Sequence, residues 1–172
     1  MNRPILNIAD AELKPRPPAQ LPPPGAAAKF EVHTAFVSTR IGAQKLGYNL
    51  TAVPPGKRGY PFHSHRVNEE MFFILEGAGE VRIGKDVHAV RKGDIIACPA
   101  GGPETAHQIA NTGTTELRYL AVSTLQHPEI ADYPDSGKFG VFLRTGVAPD
   151  GRPQFFRFMG REAIGLDYWD GE

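Results

Sequence analysis

Between Phe30 and Ser123 the chain is written in short runs of alternating apolar and polar residues, each closed by Gly, Pro or Asn. Alternation puts every second side chain on one face of an extended strand, so this stretch buries a core only by pairing strand with strand. Phe30, Val32, Thr34 and Phe36 alternate, as do Leu46, Tyr48, Leu50 and Ala52 ahead of Pro54-Pro55-Gly56. Further runs fall at 70–75, 80–83, 87–90, 94–98, 107–110 and 116–123, separated by turn residues at 77–79, 84–86, 92–94 and 111–113. This spacing predicts an all-β domain, a small sandwich or barrel built from hairpins, with no helix between residues 30 and 125.

The flanks read differently. Seven of the sixteen prolines lie in the first 24 residues, and proline runs fix φ and remove backbone donors. Residues 1–29 are therefore expected to be an arm of polyproline II or disordered chain, serving as a linker, a packing arm or a ligand for a proline-binding module. Residues 30–125 form the expected barrel. Residues 126–172 form a C-terminal extension that loosens through 127–137 and returns to strand at 139–143. Its aromatic residues, Phe155, Phe156, Phe158, Tyr168 and Trp169, are too apolar for a free tail and are expected to pack on the barrel or on a second subunit. A homodimer is the expected assembly, cyclic dimers being the commonest.

Length and charge narrow the function. The 172 residues fit one domain with extensions, and 19 Lys+Arg against 19 Asp+Glu give a formal net charge of zero. That balance lacks the basic footprint that nucleic acid or anionic lipid calls for, so neither is an expected partner. The single cysteine, Cys98, cannot close a disulfide within the chain, and its apolar run marks it as a small buried hydrophobe. With no signal-peptide core and no apolar run of membrane-spanning length, the cytoplasm is the expected compartment.

The residues that carry chemistry are His63-Ser-His65-Arg-Val-Asn-Glu69-Glu70 and, farther on, His107. Side chains at i and i+2 of a strand share a face, so His63 and His65 converge, and Glu70 opens the next apolar run. If the His107 strand lies nearby, three imidazoles and a carboxylate meet inside the barrel, a donor set suited to one divalent transition metal, Zn, Mn, Fe, Ni, Co or Cu. Glu69 is the competing carboxylate and is expected to face outward. His33, His88 and His127 lack partners at useful spacing and are read as surface or structural.

These positions resemble the two signature motifs of the cupin superfamily. The first, His-x-His, four residues, Glu, six residues, Gly, is matched by His63, His65, Glu70 and Gly77. The second, Gly, five residues, Pro-x-Gly, a gap, His, three residues, Asn, is matched by Gly93, Pro99, Gly101, His107 and Asn111. The chain departs from the pattern at Lys57, with Gly56 one place before the expected glycine, and in the five-residue gap 102–106, where two residues are usual. The resemblance spans roughly residues 45–125, with motifs at 56–77 and 93–111. It implies a double-stranded β-helix, or jelly-roll, barrel and a metal held by His63, His65, Glu70 and His107.

Cupins include isomerases, dioxygenases, decarboxylases and binding or storage proteins. The resemblance therefore implies a metal-dependent enzyme on a small oxygen-rich metabolite, or else a metal-containing binding or sensor protein without turnover. A catalytic acid or base beside the metal would separate the two. Tyr48, Gln44 and Glu104 are the candidates, with Glu104 foremost because it sits in the lengthened gap before His107.

Overall fold

The computed structural model describes residues 4–148 and 153–172, which contain thirteen strands. They are β1 Lys14–Pro15, β2 His33–Phe36, β3 Leu46–Val53, β4 Ser64–His65, β5 Glu70–Glu76, β6 Ala78–Ile83 and β7 Asp86–Arg91, followed by β8 Ile95–Cys98, β9 His107–Ala110, β10 Leu117–Thr124, β11 Glu129–Tyr133, β12 Lys138–Val147 and β13 Pro153–Gly160. The alternating runs of the sequence thus become strands, and between residues 30 and 125 the only helical turns are the 3-10 turns at Ser38–Arg40 and Pro103–Thr105.

Two layers enclose the core. The first is a six-stranded sheet in the order β1-β2-β3-β10-β5-β8. The second joins a three-stranded sheet, β7-β6-β9, to a four-stranded one, β13-β12-β11-β4. Between these two parts His63 and His107 exchange backbone hydrogen bonds: His107 N donates to His63 O at 2.7 Å, and His63 N donates to His107 O at 3.2 Å. A directly opposed antiparallel pair projects both side chains to one face, so the register itself brings the two imidazoles together.

The apolar half of each strand fills the space between the layers. Phe72 and Ile74 on β5, Ile96 and Cys98 on β8, and Leu117 and Tyr119 on β10 meet Val81 on β6, Val90 on β7 and Ile109 on β9. Glu70 shares parity with Phe72 and Ile74 and so faces inward, whereas Glu69 is exposed. His107 shares parity with Ile109 and is buried.

The turn after β5 needs its glycine. Gly77 has φ +79°, and a Cβ there would lie 2.5 Å from Glu116 O, so any side chain would meet both a disfavoured backbone conformation and a rigid neighbour.

The proline-rich arm is more structured than its composition implies. Pro17 and Pro23 keep extended dihedrals (φ −56°, ψ 149° and φ −62°, ψ 159°). Single turns stand at Ile8–Asp10, Pro18–Gln20 and Pro24–Ala27, and β1 adds an edge to the first sheet beside β2. Arg16 Nη2 donates to Gly59 O at 2.6 Å, and Lys57 Nζ donates to Ala28 O at 3.0 Å. Within this chain the arm packs along the barrel.

The C-terminal segment also differs from its loose sequence pattern. β11 lies inside 127–137, pairs with β4 (Ala131 with His65, Asp132 with Ser64) and carries β12 and β13 outward from it. At the far end Tyr168 and Trp169 pack on each other, with ring centroids 4.8 Å apart, but remain 84% and 72% exposed and find no cover on the barrel. Among the described residues no helix is long and apolar enough to cross a membrane.

Candidate metal centre

Four sequence-predicted residues arrive from both layers. His63, His65 and His107 come from the seam of the second layer, and Glu70 reaches across from the first sheet. One donor atom each from His63, Glu70 and His107 can be chosen so that all lie within 4.8 Å of one another. His65 stands beside this group, with Nε2 3.5 Å from Glu70 Oε2 and its ring centroid 5.0 Å from that of His63. His107 Nε2 lies 2.9 Å from the same Glu70 oxygen.

The donor set fits a divalent cation, and the surroundings orient it. Pro61 O is 2.8 Å from His63 Nδ1 and can only accept, so Nδ1 carries the proton and Nε2 keeps its lone pair. Burial, with His107 next to it, pushes His63 down to about 4, so it stays neutral at physiological pH. Burial also works to raise Glu70, but its contacts with His107 and His65 outweigh that and hold its carboxyl far below the usual range. His65 is the opposite case. Burial would lower it, yet Glu129 and Glu70 prevail and raise it to about 9. Its Nδ1 is buried, 3.6 Å from Glu129 Oε2, too long for a hydrogen bond but close enough for strong attraction.

Glu129 and Tyr133 belong to this site although they stand outside both motifs. Glu129 is buried and accepts from the backbone N–H groups of Asn68, Val67 and Ile130 and from the Asn68 amide. Those donors, with His65, hold its carboxyl below the ordinary value against the burial that would raise it. A carboxylate fixed in this way orients the imidazole beside it. Tyr133 stacks on His63 at 6.0 Å with its ring inclined by 21°, and burial raises its phenol so that it keeps its proton. The sequence signal for both was parity: Glu129, Ala131 and Tyr133 are alternate residues, visible as one face only once β11 is known to pair with β4.

The structure does not bring Glu104 to the cluster. The lengthened gap is a 3-10 turn, Pro103–Thr105, in which Gly102 N donates to Glu104 Oε1 at 2.9 Å, and the carboxylate is exposed. Its own backbone N–H, that of Gly102 and the nearby Arg66 hold it below the usual range, so it is an ionised turn cap. Asn111, the last residue of the second motif, has a structural task, its buried amide donating to Val53 O at 2.7 Å and Thr115 O at 2.8 Å. Cys98 is buried and its thiol is pushed up to about 12 by burial and the Glu70 charge, as expected of a packing residue. His88 and His127 are exposed.

A cleft of about 270 Å³ opens beside the cluster between the two layers. His65, Glu70 and Glu129 line it together with Leu125, His127, Phe142, Phe155 and Arg157.

Comparison with known proteins agrees with the fold and the motifs. Residues 49–123, the segment that carries both motifs, match the cupin domain family. The chain's barrel is a double-stranded β-helix, the fold of the cupins it superposes on. A cupin-superfamily sugar phosphate isomerase from Silicibacter pomeroyi superposes with a TM-score of 0.72 at 22% identity, over 96% of this chain and 98% of that one. An uncharacterised protein of Methanocaldococcus jannaschii is 38% identical over 71 residues, 41% of this chain and 54% of that protein. The oxalate-binding protein of Thermotoga maritima is 38% identical over 74 residues, 42% of this chain and 57% of that protein. The chain thus spans little more than half the length of the curated relatives it matches.

Proposed function

We propose that this chain is a metal-dependent enzyme acting on a small oxygen-rich metabolite, with one divalent transition metal held by His63, His65, Glu70 and His107. The observation that carries the reading is the cluster of His63, Glu70 and His107, with His65 beside Glu70 and these last two lining an open cleft. Four protein donors leave one or two positions on a five- or six-coordinate ion, and an ion so bound would polarise a substrate oxygen. The chain's own residues do the rest: Pro61 O fixes the His63 tautomer, Glu129 sets its charge against the His65 ring, and Tyr133 keeps a protonated phenol beside His63.

The name of the Silicibacter neighbour supports an isomerase, whereas that of the Thermotoga relative favours a second reading, binding without turnover. One experiment divides them. Native mass spectrometry with elemental analysis reads the ion and any retained metabolite, and NMR then follows conversion of hydroxy-carbonyl and dicarboxylate compounds before and after chelation. The expected result is one metal per chain and turnover that chelation abolishes. Metal without turnover selects the binding reading, and protein that takes up no metal overturns both.

A further inference from the structure

We infer that Arg157 recognises an anionic group, carboxylate or phosphate, on the molecule that enters the cleft; the inference rests on the reading of His63, His65, Glu70 and His107 as a ligand site. Backbone register argues first. Glu129 pairs with Phe142, and Phe142 pairs with Arg157, so the three form one row across β11, β12 and β13. Directly paired residues project to the same face. Glu129 stands two residues from Ala131, the partner of His65, and so the row lies on the face that carries the imidazoles. With strands ~4.8 Å apart, the Arg157 backbone is about 10 Å from that of Glu129, a span that an arginine side chain and a small metabolite bridge together.

Charge argues second. The two carboxylates of the cleft are already engaged, Glu70 with His107 and His65, and Glu129 with Asn68 and the surrounding N–H groups. Arg66 is paired with Asp132, Arg82 with Asp135 and Arg118 with Glu116. Among the described residues Arg157 has no such partner; its guanidinium carbon lies 5.6 Å from the centre of the Phe155 ring, and Phe142 is its neighbour in the row. Arg157 is the cleft's one arginine or lysine, set among apolar walls in the otherwise apolar run Phe155-Phe156-Arg157-Phe158-Met159. A guanidinium presents a planar fork of donors that matches carboxylate or phosphate oxygens. A ligand with hydroxyl or carbonyl oxygens at one end and an anion at the other satisfies both ends of the cleft.

Calorimetry on manganese-loaded protein tests this with three probes: ribose 5-phosphate, malate and uncharged ribose. Wild-type protein is expected to bind at least one of the two anions at least about tenfold more tightly than ribose. Arg157→Gln should weaken that anion about ten- to hundredfold, with Tm, metal content and ribose binding as in wild type, and Arg157→Lys should recover part of the loss. The anion that responds identifies phosphate or carboxylate as the source. Equal anion binding by wild type and Arg157→Gln overturns the inference, as does wild-type protein that binds neither anion. If wild-type protein holds no metal yet binds an anion in an Arg157-dependent way, the metal reading fails and this one stands.

Discussion

The stretch from β4 to β9 and the stretch from β11 to β13 both contribute to one cleft, by different rules. In the first, local sequence dictates geometry. Gly77 sits where φ is positive, and parity along β5 turns Glu70 inward with Phe72 and Ile74. In the second, no motif marks Glu129, Tyr133 or Arg157, and their position follows from the register of β11 against β4 and of β12 against its two neighbours. The ligand residues are thus marked by short-range pattern and joined by one long-range pair, His63 with His107, while the groups that orient them or face the ligand follow from long-range pairing alone. That division leaves the second stretch freer to vary without loss of the first.

The largest effect should come from the motif side. His63→Ala and His107→Ala are each expected to drop metal content below about a tenth of wild type by elemental analysis while the far-ultraviolet dichroism stays that of a β protein. Full stoichiometry in both variants would break the assignment. The C-terminal side should give a graded loss: Glu129→Gln keeps the shape but removes the charge facing His65, and metal affinity measured by competition with a chelator should fall about 10- to 100-fold. An unchanged affinity would place Glu129 among purely structural residues.

A third measurement joins the two stretches through protons. In the metal-free protein His65 is held at about 9, so at pH 7 it carries a proton that ligation by Nε2 displaces. Metal affinity should therefore rise about tenfold per pH unit between pH 6 and 8. His63, pushed down to about 4, adds nothing in that window because it is already neutral. A flat profile would mean that His65 is not a ligand.

The smallest effect compares two glycines. Gly77→Ala meets both a positive φ and Glu116 O, and is expected to cost roughly 1–3 kcal/mol or more in chemical denaturation. Gly137, before β12, has φ +61° but open space around it, so Gly137→Ala should cost roughly 1 kcal/mol. Equal losses at the two sites would contradict the view that the motif side is the tightly determined one.

Much of this was legible in the chain. The alternating runs gave strands at the expected places, and the choice of Glu70 over Glu69 followed from its spacing to Gly77. What lay beyond reach was register between distant segments. That His63 opposes His107, 44 residues on, could be expected from motif resemblance but not computed from spacing. β11 was hidden because Pro128, Pro134 and Gly137 around it read as loop punctuation, although the five residues Glu129–Tyr133 between them are a strand. Glu104 stands outside the cluster for a local reason: in a turn this short its carboxylate reaches the N–H of Gly102 two residues back.

The seam between the two parts of the second layer has a further consequence. At His63 and His107 it is made by main-chain N–H and C=O groups, which any residue except proline supplies in full. The imidazoles ride on that join without being needed to make it. A descendant of this chain could exchange both histidines for other side chains and inherit the architecture intact, so the barrel is open to evolutionary drift between metal-bearing and metal-free forms, and a fold match by itself says little about which form a given relative has kept.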